Sequence, residues 1–429
     1  MRLTLVFCHI GIAGMKADRP VGDREGSWIG HGVASVGASA KSAGYEVDLI
    51  DLRNLSGWPE FEAMIKNSPS EVYGISVSAV DFWSTLKAVI VIKQVKPESK
   101  VIVGGIHPSI FPGDYDFGAI DCIVQGEGEN AIIDLLNMIE RGIELPRIYR
   151  GSKPNLNEIP WVDRDLFDYR KELQCNFTPD QPHPAITMLA GRGCPYHCSY
   201  CQPAENAVFG RPYRMRSPEN VVSELSYLKG KYKFKGVTFW DDTFTFKAKW
   251  IQEFCDLYES AQIQAPIVAC SRADIICNNE GMIERLAEIG LQWFVIGFES
   301  GSQRMLDLIR KGTTVEQNKH AAEICRKYGI KVFGTFMYGL PTETEQEVLD
   351  TARMIDEIKP DHASPFWFVP IKGTDIYNLC EKNDLILEDT KKRTIERTGR
   401  FVPTIKGVNY DYINKLMCGY RGKPAEMRN

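Results

Sequence analysis

Three cysteines at C-x3-C-x2-C spacing sit in the run Gly191-Arg192-Gly193-Cys194-Pro195-Tyr196-His197-Cys198-Ser199-Tyr200-Cys201. Thiolates this close in sequence can converge from one short loop onto a single inorganic centre. A [4Fe–4S] cube has four irons and ordinarily takes four cysteines. Three ligands leave one iron open, which is what a catalytic rather than purely electron-carrying centre requires. Zinc is the competing occupant: a tetrahedral site wants a fourth Cys or His, and His197 lies inside the loop. No second C-x2-C pair follows. The loop leaves the first strand of a βα series, where a barrel active site belongs, and that placement favours the cluster. The chain's other nine cysteines are Cys8, Cys122, Cys175, Cys255, Cys270, Cys277, Cys325, Cys380 and Cys418. They stand singly, often in apolar runs, and read as small core residues in a reducing compartment.

Positioning that loop falls to two series of alternating strands and helices. Residues 1–145 carry short β-branched runs at Leu3–Cys8, Glu46–Leu52, Glu71–Val77, Lys100–Val103 and Ala119–Val124. Helical patterns lie between them, at 30–44, 58–67, 84–96 and 129–141. Continuous apolar strands separated by helices predict a parallel sheet covered on both faces. Five such strands make a doubly wound, flavodoxin-like domain that binds ligands outside the carboxyl ends of its strands. Residues 146–182, rich in Pro, Asn and charge, read as a linker.

A second βα series spans 183–372, with strands at Ala185–Ala190, Gly236–Trp240, Ile267–Ala269, Trp293–Phe298, Lys331–Met337 and Pro365–Val369. Ser217-Pro218 is a helix start, Thr314 with Gln317 and Thr342 with Glu345 read as capping boxes, and Gly290 and Gly329 suit helix ends. Pro360 closes the helix predicted from Glu343. Six units are too few for a closed eight-unit barrel, so the fold class is α/β with an open, partial (β/α)6 barrel. Residues 373–429 form a small C-terminal extension.

The bulk composition excludes several classes. The chain has 429 residues, 44% apolar and 25% charged, enough for two or three ordinary cores. Its net charge of −5 argues against a nucleic-acid partner, which phosphate contacts would bias toward a basic surface. No stretch has the ~18 to 20 apolar residues of a membrane span. The N-terminal apolar run reads as a buried strand rather than a signal peptide, so a cytoplasmic protein is expected.

The motif Cys194-x3-Cys198-x-Tyr200-Cys201 at the head of such a barrel resembles the signature of the radical S-adenosylmethionine (SAM) superfamily. The resemblance implies a [4Fe–4S] cluster whose open iron is chelated by SAM, and reductive cleavage of SAM to a 5′-deoxyadenosyl radical. Tyr200 would lie along the adenine. Asp241 and Asp242, ending the second barrel strand, match the place where the family contacts the SAM amino group; a helix N-cap is their other reading. Arg272, ending the third strand, suits a bidentate contact to the SAM carboxylate. Glu299 and Ser300 end the fourth strand, with Glu299 suited to the SAM ribose or amine. The Gly339–Thr344 turn either shapes the adenosyl pocket or simply opens a helix.

A parallel domain ahead of this barrel resembles the cobalamin-binding radical SAM class. The stretches that carry it are Gly74–Ser78, Val103–Pro108 and Gln125–Glu129, each at a strand's carboxyl end. The resemblance implies that Ser76, Ser78, Gly104, Gly105, His107, Gly126, Glu127 and Gly128 line the cobalamin nucleotide tail and corrin amides. The Asp-x-His-x-x-Gly motif of many cobalamin proteins is absent. Its equivalent reads Phe7-Cys8-His9-Ile10-Gly11-Ile12. Cobalamin is therefore expected tail-out, with no histidine below the cobalt and the Ser78–Trp83 loop facing its lower side.

The function implied is methylation of an unactivated carbon. The radical removes hydrogen, methylcobalamin supplies methyl, and an external donor such as a ferredoxin or flavodoxin supplies electrons. The substrate, a small molecule or a protein or peptide residue, would sit between the domains. Compact members of the class include the glutamine C-methyltransferase acting on methyl-coenzyme M reductase, whose size is compatible. Cyclisation or rearrangement with the same cofactors is the alternative. Methylthiolation needs three further cysteines in the N-terminal domain, which has only Cys8 and Cys122. A cobalamin carrier without catalysis conflicts with the complete cysteine loop.

Overall fold

The computed structural model describes residues 1–9, 29–78, 81–174, 178–202, 204–211, 213–388, 390 and 403–417. Cys175, Cys418, Ile10–Ile12 and positions 79–80 of the Ser78–Trp83 loop lie outside these residues. The chain divides into two compact units. The first takes Met1–Cys175 and Ala204–Gly210; the second takes Asn176–Pro203 and continues from Arg211.

The first unit is built on six parallel strands: β1 (Arg2–Phe7), β2 (Glu46–Asp51), β3 (Val72–Ser76), β4 (Lys100–Gly104), β5 (Cys122–Gln125) and β6 (Ile148–Arg150). Their order, β2-β1-β3-β4-β5-β6, is the flavodoxin-like order with one strand added. Side chains alternate between the two faces. Val6, Ile75, Val101, Val103 and Ile123 pack with Phe61, Ile65, Ala88, Val89 and Ile92 of two helices. Leu3, Leu5, Val47, Val72, Ile102 and Val124 pack on the other face with Val33, Ala34, Ala131 and Leu135. Both faces are covered, as the continuous apolar strands predict. β6 corrects the linker reading: Ile148–Arg150 pairs with β5 in register Ile123↔Ile148. Three residues are too few to show a strand's periodicity before the sheet edge is known.

The second unit holds β7 (Ala185–Met188), a short antiparallel pair β8 (Gly191–Arg192) and β9 (Arg214–Met215), then β10 (Gly236–Phe239), β11 (Ile267–Ser271), β12 (Leu291–Glu299), β13 (Lys331–Tyr338) and β14 (His362–Trp367). The six long strands are parallel in the order β14-β13-β12-β11-β10-β7, an open partial barrel. The last strand starts three residues earlier than the apolar run suggests, because His362 pairs with Phe333 across the sheet. Thr314 and Gln317 form the predicted capping box. The second box moves by two residues, to Thr344 and Glu347. Thr342 has φ +64°, outside the extended backbone an N-cap needs. The helix accordingly runs Glu345–Ile358 rather than from Glu343. Part of the C-terminal extension joins this unit, where Ile376, Cys380, Ile386 and Ile405 pack with Met305, Leu306 and Leu340.

Candidate active site

The cysteine loop opens directly from β7 and is clamped from below by Asp241. Its buried carboxylate accepts the backbone N–H of Ala190 (2.9 Å) and of Gly191 (2.5 Å), and the Tyr213 hydroxyl donates to it at 3.3 Å. Burial pushes this carboxyl up to about 7, against the downward pull of the two amides. Asp241 therefore holds the start of the loop. The N-cap reading is not realised for either acid, since the next helix begins at Ala248 with Lys247 as its cap. Asp242 is exposed on the same turn.

Cys194 is half-buried, Cys198 buried and Cys201 exposed. The N–H groups of Cys201 and Gln202 both donate to the Cys198 carbonyl, at 3.1 and 2.9 Å, curling the loop's end into a helical turn. Two neighbours fix that turn: Ser199 N–H donates to the Ile309 carbonyl (2.8 Å), and the amides of Asp375 and Ile376 donate to the carbonyls of Gln202 and Ser199, each at 3.0 Å. Asp375–Lys382 is a helix, so its first N–H groups, which lack intrahelical partners, are satisfied by the cysteine loop. Among the described residues no three Cys, His, Asp or Glu side chains surround one ion position.

Arg272 lies against Cys198. Its guanidinium donates to the Cys198 sulfur at 3.7 Å, to Asp274 at 3.0 Å and to the Lys311 carbonyl at 2.5 Å, and stacks 3.5 Å over the Tyr196 ring. Its donors face the cluster loop and Asp274.

Glu299 is aimed by a bulge. β12 and β13 pair Gly297↔Thr335 and then Glu299↔Phe336, so Phe298 is the extra residue and Glu299 takes φ +63°. One Glu299 carboxylate oxygen receives Lys311 Nζ (3.0 Å) and the Tyr200 hydroxyl (3.1 Å). The other, Oε2, is buried without a hydrogen-bond partner. A Cβ on Gly297 would fall 2.3 Å from that carboxylate and 2.8 Å from Lys311 Nζ, so a side chain there would displace the pair. Burial and the neighbouring Glu299 charge push the Tyr200 phenol well above its usual value. Ser300 turns away from this group: its hydroxyl faces Thr351 at 3.2 Å and accepts the Ser302 N–H. Glu343 accepts the Gly339 and Leu340 N–H groups at 2.6 and 3.2 Å, and burial pushes it up to about 8. The Gly339–Thr344 turn is thus folded around a carboxyl group. Lys311 and Tyr213 were missed as site residues, because each acts on an acid more than ten positions away.

In the first unit the predicted cobalamin residues gather at the carboxyl ends of β3, β4 and β5. Gly105 has φ +104°, and a Cβ there would lie 2.8 Å from the Val77 carbonyl. Gly104 ends β4, and Ser76 ends β3. Gly126 donates its N–H to Ser109 Oγ at 2.9 Å; Glu127 is the buried cap of the helix that Gly128 starts. His107 is turned inward, with Nδ1 2.8 Å from the Tyr115 hydroxyl and its ring against Phe82 and Phe111. Ser78 donates to Asp81 at 2.6 Å. Of the predicted set, the backbone positions line the sheet end and the His107 side chain does not. The isolated cysteines Cys8, Cys255, Cys270, Cys325 and Cys380 are raised by burial to about 12, as inert core thiols.

Residues 188–355 match the radical SAM superfamily, and residues 20–136 match the B12 binding domain. An uncharacterized methyltransferase of Pyrococcus horikoshii is 28% identical over 361 residues, covering 80% of this chain and 76% of that protein. The anaerobic magnesium-protoporphyrin IX monomethyl ester cyclase of Rubrivivax gelatinosus is 25% identical over 82% of this chain and 66% of its own length. Among solved structures, the radical SAM methyltransferase TsrM of Kitasatospora setae superposes with TM-score 0.69 at 16% identity, over 89% of this chain and 78% of that one. The cobalamin-dependent radical SAM enzyme OxsB superposes with TM-score 0.74 at 15% identity, over 97% of this chain and 66% of that one. Fold and cysteine loop define a radical SAM enzyme that carries its own B12-binding domain. The chain joins a radical SAM domain to a B12-binding domain, and its cofactors are a [4Fe–4S] cluster, SAM and cobalamin. Among the described residues no helix is long and apolar enough to cross a membrane.

Proposed function

We propose that the protein methylates an unactivated carbon of a small molecule or of a protein or peptide residue. The observation that carries this reading is a three-cysteine loop, one ligand short of the four a [4Fe–4S] cube ordinarily takes, joined in one chain to a B12-binding domain. When bound, the cluster and SAM supply a carbon-centred radical and cobalamin supplies the methyl group. Cys194, Cys198 and Cys201 would hold the cluster. Arg272 donates to Cys198 and holds its sulfur in place. Asp241 fixes the entry of the loop, and the Asp375–Lys382 helix fixes its exit. The unpartnered Glu299 oxygen suits the ribose hydroxyls or ammonium group of SAM, while Lys311 orients that carboxylate. Electrons come from an external low-potential protein donor, and a cytoplasmic location fits this dependence.

Cyclisation without methyl transfer is the second reading, favoured by the similarity to the ester cyclases. Anaerobic turnover separates the two. A methylase forms S-adenosylhomocysteine together with 5′-deoxyadenosine and adds 14 daltons to its substrate; a cyclase forms no S-adenosylhomocysteine. 5′-Deoxyadenosine without S-adenosylhomocysteine on every candidate substrate would overturn the methylation reading.

A further inference from the structure

The sheet of the second unit buries one face and leaves the other half open. Met188, Phe239, Ala269, Phe294 and Val332 lie side by side across it, and all are buried. Phe239 meets Phe254 of the helix Ala248–Ser260, so this is the face that carries the helices. The next residue along each strand points the other way, into the barrel. There Cys270, Val295, Phe333 and His362 pair in turn, and each is partly exposed. Two residues further up, Gly297, Thr335 and Ser364 repeat the pattern. Phe366, on the same face of β14 beyond Ser364, is 38% exposed.

Charged groups stand at both ends of this inner wall and are committed there. Below it, Lys331 pairs with Asp180, which also accepts the Trp293 indole N–H at 2.6 Å. Above it, Arg272 is spent on Cys198 and Asp274, and Lys311 on Glu299. The wall between has no carboxylate, ammonium or guanidinium. Phe333 and His362 stack across the strands, with centroids 4.3 Å apart and planes 23° from parallel. Thr335 and Ser364 are paired one row higher, a strand spacing of ~4.8 Å apart. Among the described residues neither hydroxyl has a hydrogen-bond partner. Val295 lies four residues before Glu299, ~13 Å along the strand, which is room for a bicyclic group.

We propose that this wall receives the substrate and selects a small, uncharged, flat ring system that bears a hydroxyl or carbonyl oxygen. Phe333 and His362 contact the ring, Thr335 and Ser364 bond the oxygen, and Phe366 covers the open edge. A charged group would lose its hydration with nothing opposite to replace it. A peptide would bring more backbone amides than two hydroxyls can satisfy. The inference rests on the proposed radical chemistry at the cysteine loop, and it narrows that function to a small molecule.

The test is calorimetric binding of four probes of similar size to the full chain with its cluster reconstituted. They are 2-naphthol, its saturated counterpart 2-decalol, the anion 2-naphthoate and the cation 2-naphthylmethylammonium. 2-Naphthol is expected to bind about 10-fold more tightly than each of the others. Phe333→Leu should erase its advantage over 2-decalol. Thr335→Val combined with Ser364→Ala should weaken 2-naphthol about 5- to 10-fold and leave 2-methylnaphthalene unchanged. Near-UV circular dichroism checks that both variants are folded, and the wild-type series decides alone if they are not. A charged probe that binds as tightly as 2-naphthol, or equal affinity for the flat and saturated alcohols, overturns the assignment. So does 2-naphthol binding that is indifferent to both folded variants, or no binding by any probe. None of these measurements needs turnover. Absence of S-adenosylhomocysteine would therefore remove the methylation reading and leave the substrate class standing.

Discussion

Glu299 shows how much of a site rests on groups that never touch substrate. Its carboxylate is aimed because Lys311 lies 3.0 Å away and because Gly297 leaves room for both. Glu299→Gln keeps the shape but loses the charge, and a hydrogen bond to a charged group is worth about 1.5–3 kcal/mol. SAM affinity is accordingly expected to drop roughly 10- to 100-fold with iron content unchanged, measured by SAM titration of the reconstituted cluster. Gly297→Ala should mimic it, since the new methyl displaces the same pair. The C-x3-C-x2-C spacing was legible in the sequence because it is local. Asp241 was legible as a residue of consequence but not in its role, because its partners Ala190 and Gly191 sit on a different strand end. Its ionisation gives a pH signature. The folded carboxyl titrates near 7, above the unfolded value of about 3.9. The protonated form is therefore favoured in the fold; its contribution is complete below pH ~4, declines as pH rises, and is gone above the folded value. Relative to Asp241→Asn, the wild-type denaturation midpoint should fall between pH 4 and 7 and then run parallel. Equal spacing of the two curves throughout that range would refute the assignment.

At the level of elements, strand identity was readable wherever apolar runs exceeded four residues, and boundaries slipped where tertiary pairing decided them. β6 hides in a polar stretch because an edge strand needs few apolar residues, and the Thr342 cap reading failed because a positive φ is invisible in a pattern of residue types. The bulge in β12 was equally unreadable, since it exists only in the register with β13. The helix Asp375–Lys382 carries the most specific test. Asp375 opens it, where proline is tolerated because its missing N–H has no intrahelical partner. Thr374, with φ −101° and ψ 155°, already has the extended backbone a following proline prefers. Asp375→Pro thus deletes the amide that reaches the Gln202 carbonyl, along with the ion pair to Arg310. Asp375→Ala deletes the ion pair alone. Iron retained per chain after reconstitution should fall in the proline variant and hold near wild type in the alanine variant.

Across the whole molecule, metal and cobalamin chemistry are assigned to different compact units, and the cysteine loop draws its bonds from the second. Replacing Cys194, Cys198 and Cys201 together by alanine should abolish iron binding while cobalamin absorbance stays at the wild-type level. Loss of cobalamin in that variant would show that the first unit does not hold its cofactor independently. The division into units was visible in the sequence as two βα series, yet their membership was not. Immediately after the cysteine loop the chain returns to the first unit, where the helix Ala204–Phe209 packs on the Ile106–Ile110 turn that follows β4. Composition gives no sign of that return. It sets an order on synthesis. The six-stranded sheet is complete once residue 150 has been made, but its covering piece leaves the ribosome some sixty residues later, on the order of several seconds at ordinary elongation rates. During that interval the nascent N-terminal domain carries an uncovered turn beside its glycine loops, and the first stretch able to shield it arrives only with the cysteines already translated.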